Sequence, residues 1–361
     1  MSELGLGPEF SLLARCCRWN FATAEGNSRP HLPADLDWDQ LAALARRHRV
    51  QGLVWNALAQ RADQLPAETV EALSSDARTI AATNLAIAAE CHELQQAFLQ
   101  AGVPLMFVKG LTVGALAYRS PMLKMGWDID LLVDPLGLAA AADLLIARGF
   151  SLRLPASLAQ LQSWHVWSKE SVWALDGSLH VELHTRLADN KRLIPRIDVH
   201  SSQQMVGVAQ GVSLPTLAED ELFAYLAIHG ASSAWFRLKW ISDFAALLQG
   251  RTGEEMGRLY RRSQDLGAGR AAGQALLVAD ALFDSLDPIP TLRDQLRSDR
   301  AIRLLCRAAL RMMSNGAGEP TERPLGTLAI HWTQFLLQPG LDYKFAELRR
   351  QGDTLLKRYT H

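Results

Sequence analysis

The segment SVWALDGSLHVEL (171–183) constrains this chain more than any other, because it spells out two β-strands and the reversal between them. Asp-Gly is favoured in tight type I′ hairpin turns, whose central residues need positive φ, so Asp176-Gly177 marks the turn between two β-prone runs. Side chains alternate along a strand. On the second run Leu179, Val181 and Leu183 therefore share one face, and His180, Glu182 and His184 share the other. Such a strand buries one side and presents a carboxylate between two imidazoles on its opposite side.

Upstream of the hairpin, strand and helix patterns take turns. VPLMFV (103–108) is an apolar run of strand length, and Lys109-Gly110 then turns into LTVGALAYR, which has helical spacing. DIDLLVD (128–134) reads as a second strand, and LGLAAAADLLIARGF as an Ala- and Leu-rich helix closed by Gly149. Strand, helix, strand, helix in this order predicts an α/β unit. The flanks are different. Apolar residues recur at helical spacing in Leu41, Leu44 and Ala45 and again from Leu53 to Leu58, with Asp37 or Asp39 placed to cap the first helix. A longer helical run from about 67 to 100 stops at Gly102, with Pro104 just beyond. From about Leu217 the pattern is helical to the end, broken near 250–253, 287–290 and 315–326. The expected fold is helix-rich α/β: a helical region over 1–100, an α/β core over 101–200 and a helical domain over 201–361.

Composition narrows the function classes. With 48% hydrophobic residues and ten Trp among 361, the chain has enough apolar area to offset its conformational entropy. The formal net charge of -1 argues against a molecule that binds polyanions with its whole surface, and leaves room for a local basic patch. Cys16, Cys17, Cys91 and Cys306 show no paired C-x-x-C spacing, so buried free thiols are expected in place of a zinc site or a disulfide framework. The N-terminus lacks an apolar stretch of signal-peptide length, and no run of about 18 uninterrupted apolar residues occurs. A cytoplasmic protein without a membrane partner is the expectation.

The residues that can do chemistry lie in the α/β region. Asp128 and Asp130 are two apart on a strand, so their carboxylates project from one face about 6–7 Å apart along the backbone. Two such groups can converge on a divalent cation. Mg²⁺ in particular takes few protein carboxylates and keeps waters and phosphate oxygens. Glu182 would bring a third carboxylate beside them, and three carboxylates can hold two ions roughly 3.5–4 Å apart. Lys109-Gly110 stands before a helix, where a glycine lets the backbone approach a ligand and the helix N-terminus offers N–H groups to phosphate. Each signal has a plain structural reading too: a solvated strand end, a half-exposed hairpin, an ordinary turn.

Taken together, the stretch 103–187 resembles the uncharacterised nucleotidyltransferase family of the DNA polymerase β-like superfamily. The matching elements are LMFVKG, LTVGALAY, Lys124, DIDLLV and VELHTRL, followed further on by His229 and WFRLKWISD (235–243). The resemblance implies a nucleotidyltransferase-type mixed sheet. Asp128, Asp130 and Glu182 would bind Mg²⁺ or Mn²⁺ and carry the catalysis, and Lys109, Gly110 and Thr112 would hold the triphosphate of an NTP. Two departures stand out. Lys109-Gly110 replaces the usual Gly-Ser pair, and the basic position before D-x-D is Lys124, which cannot make the bidentate phosphate fork of an arginine. The implied reaction is transfer of a nucleoside monophosphate to a hydroxyl, amine or phosphate acceptor with release of pyrophosphate. Its acceptor would be a small molecule, a sugar phosphate or a peptide natural product. A resemblance to AbiEii-type toxins, which act on tRNA, is disfavoured by the near-neutral charge. A silent nucleotide-binding or interaction protein is disfavoured by the intact carboxylate set.

Further residues carry weaker signals. His180 and His184 flanking Glu182 suggest a transition-metal site, or a His184 that orients Glu182. Lys239 is assigned to nucleotide contact through the resemblance. Asp243, four residues on, also reads as its surface ion-pair partner. His229 reads either as a catalytic group, or one supporting the site residues from behind, or as a structural cap, and Asp243 is a further candidate for that supporting place. Trp164, Trp167 and Trp173 surround the hairpin as packing, an exposed member being able to stack a base. Arg46-Arg47-His48-Arg49 and Arg261-Arg262 read as solvated helix faces.

Overall fold

The computed structural model describes residues 6–20, 30–176, 179–314, 316 and 318–358. These cluster into two compact units. One lies within Met1–Ser75, Arg192–Ile194 and Phe223–His361, the other within Asp76–Lys191 and Pro195–Leu222. In chain order the helices are α1 Pro8–Cys16, α2 Trp38–His48, α3 Gln51–Leu58, α4 Ala67–Gln100, α5 Leu111–Tyr118, α6 Leu138–Ala147, α7 Leu161–Trp167, α8 Glu219–Ser232, α9 Leu238–Ala246, α10 Gly253–Asp265, α11 Gly269–Phe283, α12 Pro290–Ser298, α13 Arg300–Ser314, α14 Leu328–Gln334 and α15 Leu341–Arg358. The strands are β1 Leu105–Phe107, β2 Asp128–Val133, β3 Ser151–Leu154, β4 Glu170–Leu175, β5 Leu179–His184, β6 Gln203–Ala209 and β7 Val212–Leu217. The fold is α/β and helix-rich, as the sequence predicts.

A mixed five-stranded sheet runs in the order β1-β2-β5-β4-β3. β2 and β5 are parallel neighbours, while β1 against β2, β5 against β4 and β4 against β3 are antiparallel. The odd-numbered residues Ile129, Leu131, Val133, Val181 and Leu183 face a core that also takes Ile87, Cys91, Leu94 and Phe98 of α4 and Leu138, Ala141 and Leu145 of α6. Alternation then sends Asp128, Asp130, His180, Glu182 and His184 to the other face. Burying the odd face fixes the register, since a one-residue slip would exchange the two faces of a strand.

Two features of α4 bear on the site. It ends as the sequence predicts: Gly102 adopts a φ of +67°, and the Val103 N–H donates back to Phe98 O at 2.9 Å. Further up, the fully buried Asn84 amide donates to Pro121 O at 2.8 Å and Lys124 O at 2.7 Å. That side chain pins the loop leading into β2. Gly126 is required there, because a Cβ would lie 2.5 Å from Asn84 Oδ1.

The hairpin β4–β5 pairs Leu175 with Leu179 and Glu170 with His184. Three residues separate the paired ends, not the two of a tight Asp-Gly turn. Asp176 takes a positive φ of 47°, while Gly177 and Ser178 lie outside the described residues. The hairpin β6–β7 and strand β3 have no counterpart in the sequence reading.

The other unit is helical. Asp37 caps α2 by accepting from the Gln40 N–H at 2.9 Å, one of the two caps expected. The Arg47–His48 pair corrects the reading of that stretch as a solvated face. Arg47 is buried and donates to the carbonyls of Met312, Met313, Phe236 and Gly318, and His48 Nδ1 accepts from the Leu238 N–H at 3.0 Å. A guanidinium has five donors and remains charged in the interior, so this one ties the unpaired carbonyls in the last turn of α13 to loop carbonyls at 236 and 318. All four cysteines are buried and free, and burial pushes the Cys17 and Cys306 thiols up to about 12. Among the described residues no helix is long and apolar enough to cross a membrane.

Candidate active site

The parallel pairing of β2 with β5 sets Asp130 directly opposite Glu182 and Asp128 opposite His180. Opposed residues on neighbouring strands share a face, so three carboxylates from positions over fifty residues apart line one side of the sheet. Their electrostatics link them further: Asp128 counts among the charges that bear on Glu182.

Lys109 enters from the end of β1. The chain leaves the sheet after Phe107, the Val108 N–H still donating to Asp130 O at 3.2 Å. It then turns at Gly110, whose φ of +64° and ψ of −125° favour a residue without Cβ. This places the Lys109 ammonium against Asp130 Oδ1 and 3.7 Å from Glu182 Oε2. Gly110 is the N-cap of α5, so the turn and the helix start lie beside the carboxylates. Lys109, Gly110, Asp128 and Asp130 also border a small void of about 10 Å³, room for about one water, together with Ile87, Cys91, Phe107 and Ile129.

His184 is fully buried on the same face. Its Nε2–H donates to Asp130 Oδ1 at 3.1 Å and lies 3.5 Å from Glu182 Oε2. Its Nδ1 is 3.3 Å from Glu170 Oε2, near enough for charge attraction though off the hydrogen-bond direction. Glu170, the residue paired with His184 across β4–β5, in turn meets the Lys169 ammonium.

Charge compensation decides the protonation states. Burial pushes the Asp130 carboxyl up, but the Lys109 ammonium and the His184 hydrogen bond outweigh it and hold it below its ordinary value. For Glu182, burial again pushes up, and the His184 hydrogen bond with the Lys109 charge brings the carboxyl far below the carboxylate range. His184 is the mirror case. Burial and Lys169 push it down, yet its bonds to Asp130 and Glu182 and the charge of Glu170 keep it raised. The cluster is thus a buried set of ionised carboxylates balanced by an ammonium and an imidazolium.

Asp130, Glu182 and His184 each offer a ligand atom, all within 4.8 Å of one another. Ions such as Mg²⁺ or Zn²⁺ hold their ligands at about 2.0–2.2 Å, which leaves neighbouring ligand atoms roughly 3 Å apart. The 3.1 and 3.5 Å separations from Nε2 to the two carboxylates therefore fit one divalent cation.

The remaining residues of the sequence reading have varied surroundings. Thr112 is fully buried, and its hydroxyl faces Phe107 O at 3.2 Å and Lys109 O at 3.1 Å. Those bonds hold the turn after β1, so the hydroxyl braces the Lys109–Gly110 corner where the sequence suggested a phosphate contact. Lys124 is buried, its stem against Gly114 of α5. Lys239, His229 and Asp243 belong to the helical unit. There His229 packs edge-on to Trp240 at 5.5 Å, and Asp243 is buried, which corrects its reading as half of a surface pair. Trp173 is fully buried and donates to Ser171 Oγ at 3.0 Å, Trp164 donates to Glu170 O at 2.7 Å, and Trp167 is half exposed. Glu170 and Lys169 were missed in the sequence because Lys-Glu before a strand reads as solvated charge. Only the observed register, with three residues in the turn, puts Glu170 opposite His184.

The site is thus a set of carboxylates on adjacent parallel strands of a mixed α/β sheet. The chain matches the profile of the uncharacterised nucleotidyltransferase family over residues 34–284, and it belongs to that family. Comparison with curated proteins finds no match.

Proposed function

We propose that this protein transfers a nucleoside monophosphate from an NTP to an acceptor hydroxyl, amine or phosphate, releasing pyrophosphate. The observation that carries the reading is the placement of Asp130 opposite Glu182, with Asp128 one alternation along the same face. Asp128, Asp130 and Glu182 are the residues assigned to hold the divalent ion, Mg²⁺ or Mn²⁺. When bound, that ion supplies charge neutralisation for the triphosphate and makes the acceptor easier to deprotonate. Asp130 and Glu182 are already held ionised, which suits cation ligands and argues against either serving as a general base near neutral pH.

The remaining roles fall to the chain around the β1–α5 turn. Lys109 shifts from the carboxylates to the β- and γ-phosphates and balances the charge that collects on the leaving pyrophosphate. Gly110 allows the backbone close to that group, and Thr112 keeps the corner in shape from behind. The acceptor's oxygen or nitrogen, releasing to solvent the proton it carries, forms the new bond to the α-phosphorus as the α–β bridging oxygen departs with pyrophosphate.

The test is to incubate purified protein with each NTP labelled at the α-phosphate, a divalent ion and fractionated cell extract. Label is expected in the small-molecule or peptide fraction. Label confined to tRNA would select the toxin-like reading. NTP binding without transfer to any fraction would select the silent binding protein.

A further inference from the structure

We propose that the cation assigned to the carboxylate face also takes His184 as a protein ligand beside Asp130 and Glu182, with Glu170 as the carboxylate that orients the imidazole, and that this site therefore takes Mn²⁺ in preference to Mg²⁺. The proposal rests on the metal-dependent reading above and gives its ion a specific donor set.

Three observations support it. His184 Nε2 points at both carboxylates, 3.1 Å from Asp130 Oδ1 and 3.5 Å from Glu182 Oε2. Those are the spacings of atoms that share one ion. The imidazole is fully buried on the sheet, so its direction is fixed by packing. The third lies behind the ring: Glu170 Oε2 is 3.3 Å from Nδ1, a charge contact off the hydrogen-bond direction that ligation by Nε2 would draw into line. Metal-ligating histidines nearly always turn their second ring nitrogen to a carboxylate, carbonyl or water, and that partner fixes tautomer and orientation.

The donor set has a chemical consequence. Mg²⁺ prefers an all-oxygen shell, whereas an imidazole nitrogen suits first-row transition metals, and Mn²⁺ is a member of that series that shares the preference of Mg²⁺ for carboxylates. Ligation exchanges the Nε2 proton of His184 for the ion, and the proton leaves to solvent. The same ion displaces the Lys109 ammonium from Asp130, freeing Lys109 for phosphate.

Binding of Mn²⁺ to the full-length protein, followed by electron paramagnetic resonance, tests this without turnover. Pulsed spectra of the Mn²⁺ complex are expected to show coupling to a directly bound ¹⁴N, and Mn²⁺ is expected to bind at least ten times more tightly than competing Mg²⁺. His184→Gln should remove the coupling and weaken Mn²⁺ binding about ten- to a hundredfold while leaving Mg²⁺ binding within about threefold. Glu170→Gln should keep the coupling and weaken Mn²⁺ about tenfold. His180→Gln should keep both, which separates the two imidazoles on this face. Should His184→Gln fail to fold, the wild-type spectrum decides alone. Mn²⁺ bound without nitrogen coupling overturns the proposal and leaves the carboxylate site standing. Failure of the wild-type protein to bind Mn²⁺ at all overturns the metal-dependent reading with it.

Discussion

Replacing Lys109 with methionine should cost stability, and should reverse the way stability at this site responds to pH. The ammonium is the main positive charge on Asp130 and also acts on Glu182, whose side chains are 2% and 25% exposed; Lys109 itself is 14% exposed. Removing one partner of a fully buried pair costs about 3–5 kcal/mol. The partial exposure of Glu182 and Lys109, and the imidazolium of His184 that remains, reduce this to about 2–3 kcal/mol. For a unit of this size that is roughly 5–10 °C in melting temperature. In the wild type both carboxyls titrate below their unfolded values, so their contribution is present above pH ~4 and is lost only as pH falls through the folded values. Without Lys109 the two facing carboxylates repel each other and their folded values rise, so the variant regains stability on acidification. Thermal melts from pH 8 to pH 5.5 should therefore show the gap between wild type and Lys109→Met narrowing as pH falls, and millimolar Mn²⁺ closing it at pH 7.5. Equal melting temperatures with parallel pH profiles would refute the charge balance described here.

Other outcomes follow from the same geometry. Gly110→Ala should lower stability by about 1–3 kcal/mol and reduce kcat more than it raises KM for the acceptor, because a Cβ meets only Asp128 O at 3.7 Å and the penalty lies in the backbone at φ +64°; urea melts and steady-state kinetics check it. His165, buried against Thr185 Oγ1 at 2.9 Å, is pushed down to about 4 by burial and by the charges of Arg186 and His184. It is therefore neutral in the fold, and its contribution is intact above pH ~6.5 and lost as pH falls toward 4, up to about 3 kcal/mol. His165→Gln should flatten that limb of a urea-midpoint profile, and an unchanged slope would remove His165 as its source.

Much of the site was legible in the sequence because strand periodicity is a local property. Alternation alone put Asp128 with Asp130 and Glu182 with His184 on polar faces, and Gly110 with Gly102 punctuated helices where the chain does turn. The pairing of β2 with β5 was different. Those strands are joined only through β3, α6, α7 and β4, and nothing local states that they lie parallel with Asp130 opposite Glu182. The family resemblance supplied that juxtaposition in advance. Reading Asp176-Gly177 as a two-residue turn misplaces the hairpin register by one, which hides Glu170 from the His184 face. Thr112 shows a further limit: a hydroxyl at a turn reads the same whether it faces a phosphate or, as here, the carbonyls that shape the turn. The β6–β7 hairpin is hard to read in the sequence because Gly207 and Pro215 interrupt the alternation of its strands.

The central claim is that the carboxylate face moves the α-phosphorus of an NTP, and parallel reactions with α- and γ-labelled substrate test it most directly. Wild-type protein with Mn²⁺ or Mg²⁺ should place α-label on an acceptor and release γ-label only as pyrophosphate. Asp130→Asn, nearly isosteric but without the charge that a cation needs, should do neither, while its circular dichroism spectrum stays that of the wild type. Transfer of γ-label to the acceptor, or undiminished α-transfer by Asp130→Asn, would contradict the account.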